Sequence, residues 1–459
     1  MRAACLFARH FKIQASRCLQ RRNLLTLAIE TSCDDTSVAV LEKHESSSAT
    51  LHFHSKITSD NRSYGGVYPI KAHESHQKHL AGLLKQAIRA LPIKHTLHTG
   101  EGLEEDGLKG RRKPDFITVT RGPGMRSNLI TGVDTAKGLS VAWDIPILGV
   151  NHMQAHALTP RMCSALQVPD NSSKQLDDEK IEITPAFPFL SLLVSGGHTM
   201  LVHSQSLCNH KIIASTSDMA IGDAIDKSAR DILPLSLIES AKDVMYGRLL
   251  ESFAFPEQDQ DSRIPYDYNV SRGRKIEREE MRNYGWKIAS PFGNPGPAGL
   301  RSLDNTWSFS GFGSQAKRIM KTRPDMDNDE RRLLARDIMR VSFEHLVSRV
   351  IIALQIGAPD PIDVKTIVVS GGVASNQYLK HIIRAVLEAK GLGHVETVFP
   401  PPMYCTDNAA MIGWTGIEMW EAGYRSQLDF MAIRKWPIDP LAEGGGILGA
   451  DAWVKVDSQ

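Results

Sequence analysis

His152 and His156 are spaced as a pair of metal ligands. They lie four residues apart and directly follow an apolar run at residues 147–150. On a helix this spacing places both imidazoles on one face, and a third ligand must then come from elsewhere in the chain. The alternative is a pair of solvated surface histidines, because the chain has 17 histidines. The segment His-Met-Gln-Ala-His lacks the glutamate of the H-E-x-x-H motif, which argues against a metalloprotease.

Asp407 is a second residue that could bind a metal. It lies in Cys-Thr-Asp-Asn-Ala-Ala-Met, residues 405–411, after three consecutive prolines and at the start of a helix rich in small residues. Thr and Asp both favour the N-cap position, and capping uses the same carboxylate oxygens that a metal ion would need. From the residues alone we predict that Asp407 caps this helix.

Two apolar runs end in the same tripeptide, Ser-Gly-Gly, at residues 195–197 and 370–372. A strand that ends in a turn without side chains exposes consecutive backbone N–H groups, which can hold phosphate oxygens. A single Ser-Gly-Gly is usually only a turn. With two of them in one chain, a nucleotide-binding cleft and a pair of simple turns are equally good interpretations.

The elements that position these residues begin with a predicted β-hairpin. Residues 24–29 and 36–41 are two runs rich in β-forming residues. The polar tip between them carries Glu30, Asp34 and Asp35. The pattern predicts a hairpin whose tip presents three carboxylates.

Strands and helices then alternate along the chain. The predicted elements are strand 115–120, helix 129–143, strand 147–150, strand 187–194, helix 330–354, strand 366–369 and helix 375–390. Strand, helix and strand in this order predict parallel crossover units and an α/β fold. A polar stretch before Pro185 predicts a lobe boundary there. Residues 255–300 are rich in charge, Pro and Gly and are predicted to be an insertion.

Composition excludes several classes of protein. The chain has 459 residues, 42% hydrophobic and 23% charged, which is typical of a globular protein. No apolar run reaches the length of a membrane span. The six cysteines include no C-x-x-C pair, so the sequence indicates neither a disulfide framework nor a cysteine-based zinc site.

The first 24 residues contain six Arg or Lys residues, and no Asp or Glu precedes Glu30. This composition is typical of a mitochondrial transit peptide, with an ordinary basic tail as the alternative. Without those six charges the formal net charge falls from +2 to −4. Any RNA contact must therefore use local patches, for which residues 109–113 and 272–282 are candidates, although most charge runs are only solvated surface.

Six segments together resemble one protein family. They are residues 29–36 (Ile-Glu-Thr-Ser-Cys-Asp-Asp-Thr), 121–124 (Arg-Gly-Pro-Gly), 150–156 (Val-Asn-His-Met-Gln-Ala-His), 194–199 (Val-Ser-Gly-Gly-His-Thr), 370–376 (Ser-Gly-Gly-Val-Ala-Ser-Asn) and 405–412 (Cys-Thr-Asp-Asn-Ala-Ala-Met-Ile). In type and order they closely resemble the threonylcarbamoyl-adenosine tRNA transferase family, from about residue 26 to 440. With the basic leader, the resemblance is to the mitochondrial form.

This resemblance implies an α/β fold of the actin and sugar-kinase type, with two ribonuclease H-like lobes and the active site in the cleft between them. We expect a transit peptide at residues 1–24, lobe I at 25–185, lobe II at 186–405 and a C-terminal segment, 406–459, that returns to lobe I. The resemblance also implies that His152, His156 and Asp407 bind one divalent metal ion, zinc or iron.

The same resemblance assigns residues to the adenylate. They are Leu193, Val194, Ser195, Gly196, Gly197, Asp226, Gly247, Glu251 and Asn376. The chain departs from the family pattern at residues 222–227, where Asp223 and Ile225 replace Glu and Phe, and at 245–248, where Tyr-Pro-Gly-Gly-Pro is absent. Leu193 stands where archaeal members have a tyrosine ligand, so we expect no fourth protein ligand.

The implied reaction transfers threonylcarbamoyl from threonylcarbamoyl-AMP, supplied by a separate synthase, to N6 of adenosine 37 in mitochondrial tRNAs that read ANN codons. Asp34 is the candidate for accepting the amine proton or orienting a metal ligand, supported by Asp35 or Glu30; alternatively these acids only hold the turn. The partner is a single-stranded anticodon loop. A homodimer is left open, and no membrane is expected. The alternatives are another actin-fold carbamoyltransferase or kinase and a non-catalytic nucleotide-binding scaffold subunit.

Overall fold

The structure is a computed structural model that describes most of the chain. The described residues are 23–94, 110–167, 182–241, 244–256, 266–270, 283–292, 305–357, 361–449, 451 and 453–456. All but the last two residues of the expected transit peptide lie outside these ranges, as do Lys109, the basic run at 272–282 and most of the predicted insertion. None of the described helices combines the length and apolar character that crossing a membrane requires.

The first third of the chain forms a five-stranded sheet. Its elements are β1 (Leu24–Glu30), β2 (Asp35–Lys43), β3 (Ala49–Thr58), α1 (Pro69–Arg89), β4 (Phe116–Gly122), α2 (Arg126–Trp143), β5 (Ile147–Asn151) and α3 (His152–Gln167). The strand order is β3-β2-β1-β4-β5. Strands β1, β4 and β5 are parallel, and β2 is antiparallel to both of its neighbours. The predicted hairpin and crossover unit are confirmed.

A six-stranded sheet follows. Its elements are β6 (Phe189–Val194), β7 (Thr199–Ser206), β8 (Asn209–Thr216), α4 (Ile221–Ile232), α5 (Leu235–Glu239), α6 (Tyr246–Ala254), β9 (Thr306–Trp307), α7 (Ser310–Thr322), α8 (Asn328–Gln355), β10 (Thr366–Ser370), α9 (Gln377–Ala389) and β11 (Glu396–Val398). The chain continues with α10 (Pro402–Cys405), α11 (Ala409–Glu421), β12 (Tyr424–Arg425) and β13 (Val454–Lys455). The strand order of the six-stranded sheet is β11-β10-β6-β7-β8-β9.

The two sheets share one topology. In the second sheet β6 takes the central position of β1, β7 and β8 follow it as an antiparallel meander, and β10 and β11 lie parallel on its other side. Only the short edge strand β9 is extra. A sheet of this order is ribonuclease H-like, so the predicted α/β class with two such units, of actin and sugar-kinase type, is confirmed. The lobe limits given from the sequence stay a proposal.

Helices cover both faces of the first sheet. Leu25, Leu27 and Ile29 of β1 pack with α1 and α2, whereas Ala28 packs on the opposite face with Trp414 of α11. Because β1 is buried on both sides, it consists almost entirely of apolar residues instead of alternating with polar ones. Helix α11 therefore joins the first sheet although it follows the second in the sequence.

The carboxyl ends of β1, β5, β6 and β10 open onto one cleft. In parallel α/β sheets, the loops after these ends are where ligands bind. Ser32, His152, Ser195 and Gly372, which follow the four strands in turn, all line the cleft. Its volume of about 2220 Å³ exceeds that of an ordinary small-molecule pocket, roughly 300–1,000 Å³. The space is sufficient for a nucleotide together with part of a larger substrate.

Candidate functional site

His152, His156 and Asp407 converge at the edge of the cleft. Because α3 begins directly after β5, His152 stands at the end of the strand, and His156 lies one helical turn further on the same face. Nε2 of His152 lies 3.3 Å from Oδ1 of Asp407, and Nε2 of His156 lies 3.1 Å from the same oxygen. The three ligand atoms lie within 4.8 Å of one another. The solvated-histidine alternative is wrong, since both rings are buried.

Asp407 does not cap the helix that follows it. The side chain of Asn408 accepts a hydrogen bond from the backbone N–H of Met411, which makes Asn408 the N-cap of α11. The prediction made from the residues alone was wrong by one position. With the cap supplied by its neighbour, the Asp407 carboxylate is available to the two histidines.

The donor set fits a divalent metal ion. Two imidazole nitrogens and one carboxylate oxygen are ligands for zinc and iron, and three protein ligands leave positions open for a substrate. Glu30 lies behind His152, with its Oε2 3.3 Å from Nδ1 of the ring. A carboxylate on the second ring nitrogen is the usual device that fixes the tautomer of a metal-binding histidine. Nδ1 of His156 is buried and has no hydrogen-bond partner among the described residues.

The charges of this cluster favour cation binding. Burial alone would lower the pKa of His152, but Asp407 and Glu30 outweigh it and raise the pKa to about 10. Burial likewise opposes ionisation of Asp407, yet the two histidines hold its pKa well below the usual range. The protonated ring of His152 thus places a positive charge between two carboxylates. A metal ion can supply this charge in place of the proton.

Asp34 and Asp35 line the cleft beside this cluster. Burial raises the pKa of Asp34 to about 6, and the negative charges of Asp35 and Asp407 add to the rise. Burial also raises the pKa of Asp35, against the opposing charge of Lys56. A pKa of about 6 places Asp34 near neutrality, as a group that exchanges protons requires.

Lys56 was missed by the sequence reasoning. Its Nζ donates to Oδ2 of Asp35 at 2.9 Å and to Oγ1 of Thr406 at 2.6 Å. It therefore ties β3 and the hairpin tip to the segment that carries Asp407. These contacts join residues up to 350 positions apart, so no local pattern could indicate them.

His198, which follows the first Ser-Gly-Gly turn, was also missed. It lines the cleft, and burial together with the positive charges of His152 and His156 lowers its pKa to about 4. The ring is therefore neutral at physiological pH and can both donate and accept a hydrogen bond. Its place in the segment Ser-Gly-Gly-His-Thr was the only signal that could have identified it.

The Ser195 turn forms part of the opposite wall. Gly196 and Gly197 are exposed to the cleft. The Oγ of Ser195 accepts hydrogen bonds from the N–H groups of Gly197 and His198. The expectation of free consecutive N–H groups therefore holds only in part. The side chains of Leu193 and Val194 are buried in β6, so only their backbone faces the turn.

The second Ser-Gly-Gly turn has a different structure. Ser370 donates to the backbone oxygen of His156 at 3.0 Å, which ties β10 to α3. Gly371 adopts a φ of 101°, and a Cβ at this position would lie 2.3 Å from the backbone oxygen of Val194. This turn therefore requires glycine for the close approach of β10 and β6. The similarity between the two tripeptides does not extend to their hydrogen bonds.

The remaining predicted adenylate residues lie on the same wall, with Gly247 and Asn376 at helix starts and Asp226 and Glu251 within helices. Asp226 accepts from the backbone N–H of Gly247 at 2.6 Å, which joins α4 to α6. Glu251 accepts from the first two N–H groups of α9, and Asn376 caps the same helix through the N–H of Leu379. All four residues line the cleft.

The basic residues at 111–113 do not contribute to the lining of the cleft. Arg111 donates to the backbone oxygen of Leu91, Arg112 pairs with Glu42 and Asp115, and Lys113 donates to a backbone oxygen in α2. These bonds hold the far end of the first sheet together. The structure gives these three side chains internal contacts, and their part in binding RNA stays a prediction. Lys109 and the run at 272–282 lie outside the described residues.

The sequence was compared with known proteins. Residues 52–414 match a family model described as TsaD, tRNA N6-adenosine threonylcarbamoyltransferase. A mitochondrial tRNA N6-adenosine threonylcarbamoyltransferase of Schizosaccharomyces pombe is 36% identical and aligns over 95% of this chain and 90% of its own. A tRNA N6-adenosine threonylcarbamoyltransferase of Cereibacter sphaeroides is 32% identical and aligns over 94% of this chain and 100% of its own.

Solved structures were compared as well. The crystal structure of full-length HypF in its phosphate- and nucleotide-bound form matches with a TM-score of 0.40 and 12% sequence identity. The match covers 87% of this chain and 56% of the HypF chain.

Proposed function

We propose that this chain, which belongs to the tRNA N6-adenosine threonylcarbamoyltransferase family, transfers the threonylcarbamoyl group of threonylcarbamoyl-AMP to N6 of adenosine 37 in tRNAs that read ANN codons and releases AMP. The observation that carries the proposal is the convergence of two imidazoles and one carboxylate at the edge of a cleft of about 2220 Å³. A mitochondrial location is supported by the S. pombe relative.

One divalent ion, zinc or iron, is proposed to bind Nε2 of His152, Nε2 of His156 and Oδ1 of Asp407. The buried donor set and the Glu30 carboxylate behind His152 support this assignment. When bound, the ion supplies a Lewis acid for the carbonyl or phosphate oxygens of the donor. Glu30 then acts as a positioning residue, since it contacts the histidine and lies outside the cleft lining.

Asp34 is proposed to accept the proton that the exocyclic amine of adenosine loses when its nitrogen bonds to the carbamoyl carbon. A pKa of about 6 leaves Asp34 ionised at neutral pH, yet close enough to neutrality to receive a proton. Lys56 holds Asp35 by an ion pair at 2.9 Å, which keeps Asp35 a fixed negative neighbour. Breaking the bond between the carbamoyl carbon and the phosphate oxygen releases AMP.

The adenylate is proposed to bind the opposite wall. Gly196 and Gly197 offer a surface without side chains on which a phosphate can rest. Asp226, Gly247, Glu251 and Asn376 support this site, because the three polar side chains bond backbone N–H groups at the starts of α6 and α9. The two walls would then hold the donor between glycine turns on one side and the metal site on the other.

A reconstituted transfer reaction tests the proposal. The purified full chain is incubated with threonine, bicarbonate, ATP, a separate threonylcarbamoyl-adenylate synthase and an ANN-decoding tRNA transcript, and the nucleosides are analysed by mass spectrometry. We expect threonylcarbamoyl-adenosine from the wild-type chain and not from synthase alone. A kinase or a non-catalytic scaffold would yield none, which would overturn the proposal.

A further inference from the structure

Two tyrosines form an exposed aromatic stack beside the cleft. The rings of Tyr64 and Tyr68 lie parallel, with centroids 4.3 Å apart and an interplanar angle of 8°. Tyr64 is 48% exposed and Tyr68 is 37% exposed. The neighbouring Val67 and Ile70 are exposed as well. Two stacked and exposed aromatic rings present a planar surface on which a further ring can stack.

The tyrosine pair is continuous with the cleft and with the reacting groups. The loop that carries it lines the cleft through Asn61, Arg62 and Val67. The side-chain oxygen of Asn61 accepts from the backbone N–H of Tyr68 at 3.1 Å, and its amide nitrogen lies 3.4 Å from Oδ2 of Asp34. Asn61 is 2% exposed, so one buried side chain fixes both the tyrosine loop and the carboxylate.

The second sheet fixes the same loop from the other side. Nη1 of Arg230, on α4, donates to the backbone oxygen of Gly65 at 2.6 Å. Gly65 has a φ of 64° and ends the short 3-10 helix Arg62–Tyr64. The tyrosine pair therefore lies on a segment that is bonded both to the hairpin tip, through Asn61, and to α4, through Arg230. These bonds hold the segment in place while both rings stay partly exposed.

We propose that the stacked rings of Tyr64 and Tyr68 bind an unpaired base of the tRNA anticodon loop next to the acceptor adenosine. This inference rests on the proposed function, because it takes the acceptor to be a tRNA whose target base enters the cleft at Asp34. Proteins recognise single-stranded RNA largely by stacking its bases on aromatic side chains. A base that lies on the outer face of one of the two rings extends the stack by one member.

Charge along the cleft agrees with an RNA occupant. Arg248, Arg384, Arg434 and Lys435 are exposed and line the cleft. They come from three separate parts of the chain and offer positive charge to the phosphates of an RNA strand that enters the cleft. The exposed apolar surface here consists of four side chains only, those of Tyr64, Val67, Tyr68 and Ile70. The ion pairs Asp60–Arg62 and Lys71–Glu74 flank it, so it is too small to bind a protein partner stably.

Equilibrium binding of an ANN-decoding tRNA transcript tests the inference. We compare the wild-type chain with the double variant Tyr64→Ala/Tyr68→Ala at one salt concentration. Loss of a stacked base is expected to raise the Kd about 10- to 100-fold. The double variant Tyr64→Phe/Tyr68→Phe keeps the rings and should bind within about twofold of wild type. Val141→Ala, which removes an exposed apolar side chain on α2, is the matched control and should have no effect.

A fluorescent base identifies the contact. A transcript with 2-aminopurine beside position 37 should be quenched on binding the wild-type and Phe variants, and not on binding the double Ala variant. An unchanged Kd in the double Ala variant would overturn the inference, as would a Phe variant that behaves like the Ala variant. The inference would also be overturned if the double Ala variant sedimented differently from wild type but bound RNA equally well, since the tyrosines would then lie in a contact between protein chains.

The binding measurement separates this inference from the proposed function. It requires no transfer, so a wild-type chain that binds and quenches the transcript but forms no product contradicts the function and supports the stack. If the wild-type chain forms product and the double Ala variant binds tRNA with the wild-type Kd, the result contradicts the stack and supports the function.

Discussion

The two walls of the cleft have the same strand order and opposite chemistry. On the wall of the first sheet, Asp34, His152 and Asp407 form a group of charges with strongly displaced pKa values, and Glu30 supports this group from behind. On the wall of the second sheet, glycines and helix ends face the cleft. Topology thus determines where the loops meet, and the residues within each loop determine what it does.

Carboxylates illustrate the difference between the walls. Asp34 stands beside other acids, and burial with their repulsion raises its pKa to about 6. Burial also raises the pKa of Glu251. This carboxylate accepts hydrogen bonds from two backbone N–H groups of α9, however, and these bonds lower the pKa. We therefore expect changes on the first wall to alter the rate of transfer and changes on the second to alter donor binding.

The largest expected effect is on the first wall, at Asp407. Asp407→Ala removes one of three proposed metal ligands, and we expect single-turnover transfer to fall about 10⁴-fold, which corresponds to the several kcal/mol that a Lewis acid supplies. Asn408→Ala is the matched control. It removes the cap of α11 and should lower the free energy of unfolding by about 1 kcal/mol while transfer continues. Equal transfer in Asp407→Ala and wild type would contradict the account.

Asp34→Ala is expected to follow. Loss of the proposed proton acceptor should lower single-turnover transfer by about 10² to 10⁴, with donor binding nearly unchanged. Asp34→Asn keeps the size of the side chain and should be equally slow, because the amide does not accept a proton. A folded Asp34→Ala chain with the wild-type rate would remove Asp34 from the mechanism.

The pH dependence of transfer sharpens the same contrast. A base with a pKa of about 6 is ionised above that pH, so the rate should be constant at higher pH and fall about tenfold per unit below it. The single-turnover rate is measured between pH 5 and 8, and the residual rate of Asp34→Asn should lack this inflection. A wild-type profile that is flat through pH 6 would break the proposed assignment.

The smallest effect is expected on the second wall. Glu251→Ala removes the acceptor of two N–H groups at the start of α9, and we expect the Kd for AMP to rise about fivefold, the equivalent of one hydrogen bond, with little change in the single-turnover rate at saturating donor. Glu251→Gln keeps an acceptor oxygen and should bind AMP nearly as wild type does. A rate loss as large as that of Asp34→Ala would abolish the distinction between the walls.

The sequence predicts those features that depend on neighbours along the chain. The hairpin, the crossover unit and the projection of His152 and His156 from one helix face follow from periodicity and spacing. The third ligand does not, because Asp407 is 251 residues from His156 and a helix start offers the same signal for a cap. Only the resemblance to a family assigned Asp407 to the proposed metal site.

Contacts between distant segments account for what was missed. Lys56 bonds Thr406 only after folding has brought β3 next to the segment that carries Thr406. The run at 111–113 carries the composition of an RNA contact, yet its charges meet Glu42, Asp115 and backbone oxygens once the sheet forms. The order of charges along the chain does not indicate which of them will form internal contacts in the fold.

The direct test of the proposed metal site is metal analysis of the purified full chain, with X-ray absorption at the edge of the bound metal. The account predicts one zinc or iron ion per chain with two imidazole nitrogens and at least one carboxylate oxygen as ligands, and its loss from a folded Asp407→Ala variant. A metal retained with unchanged ligands in that variant, or full transfer by metal-free wild-type protein, would contradict it.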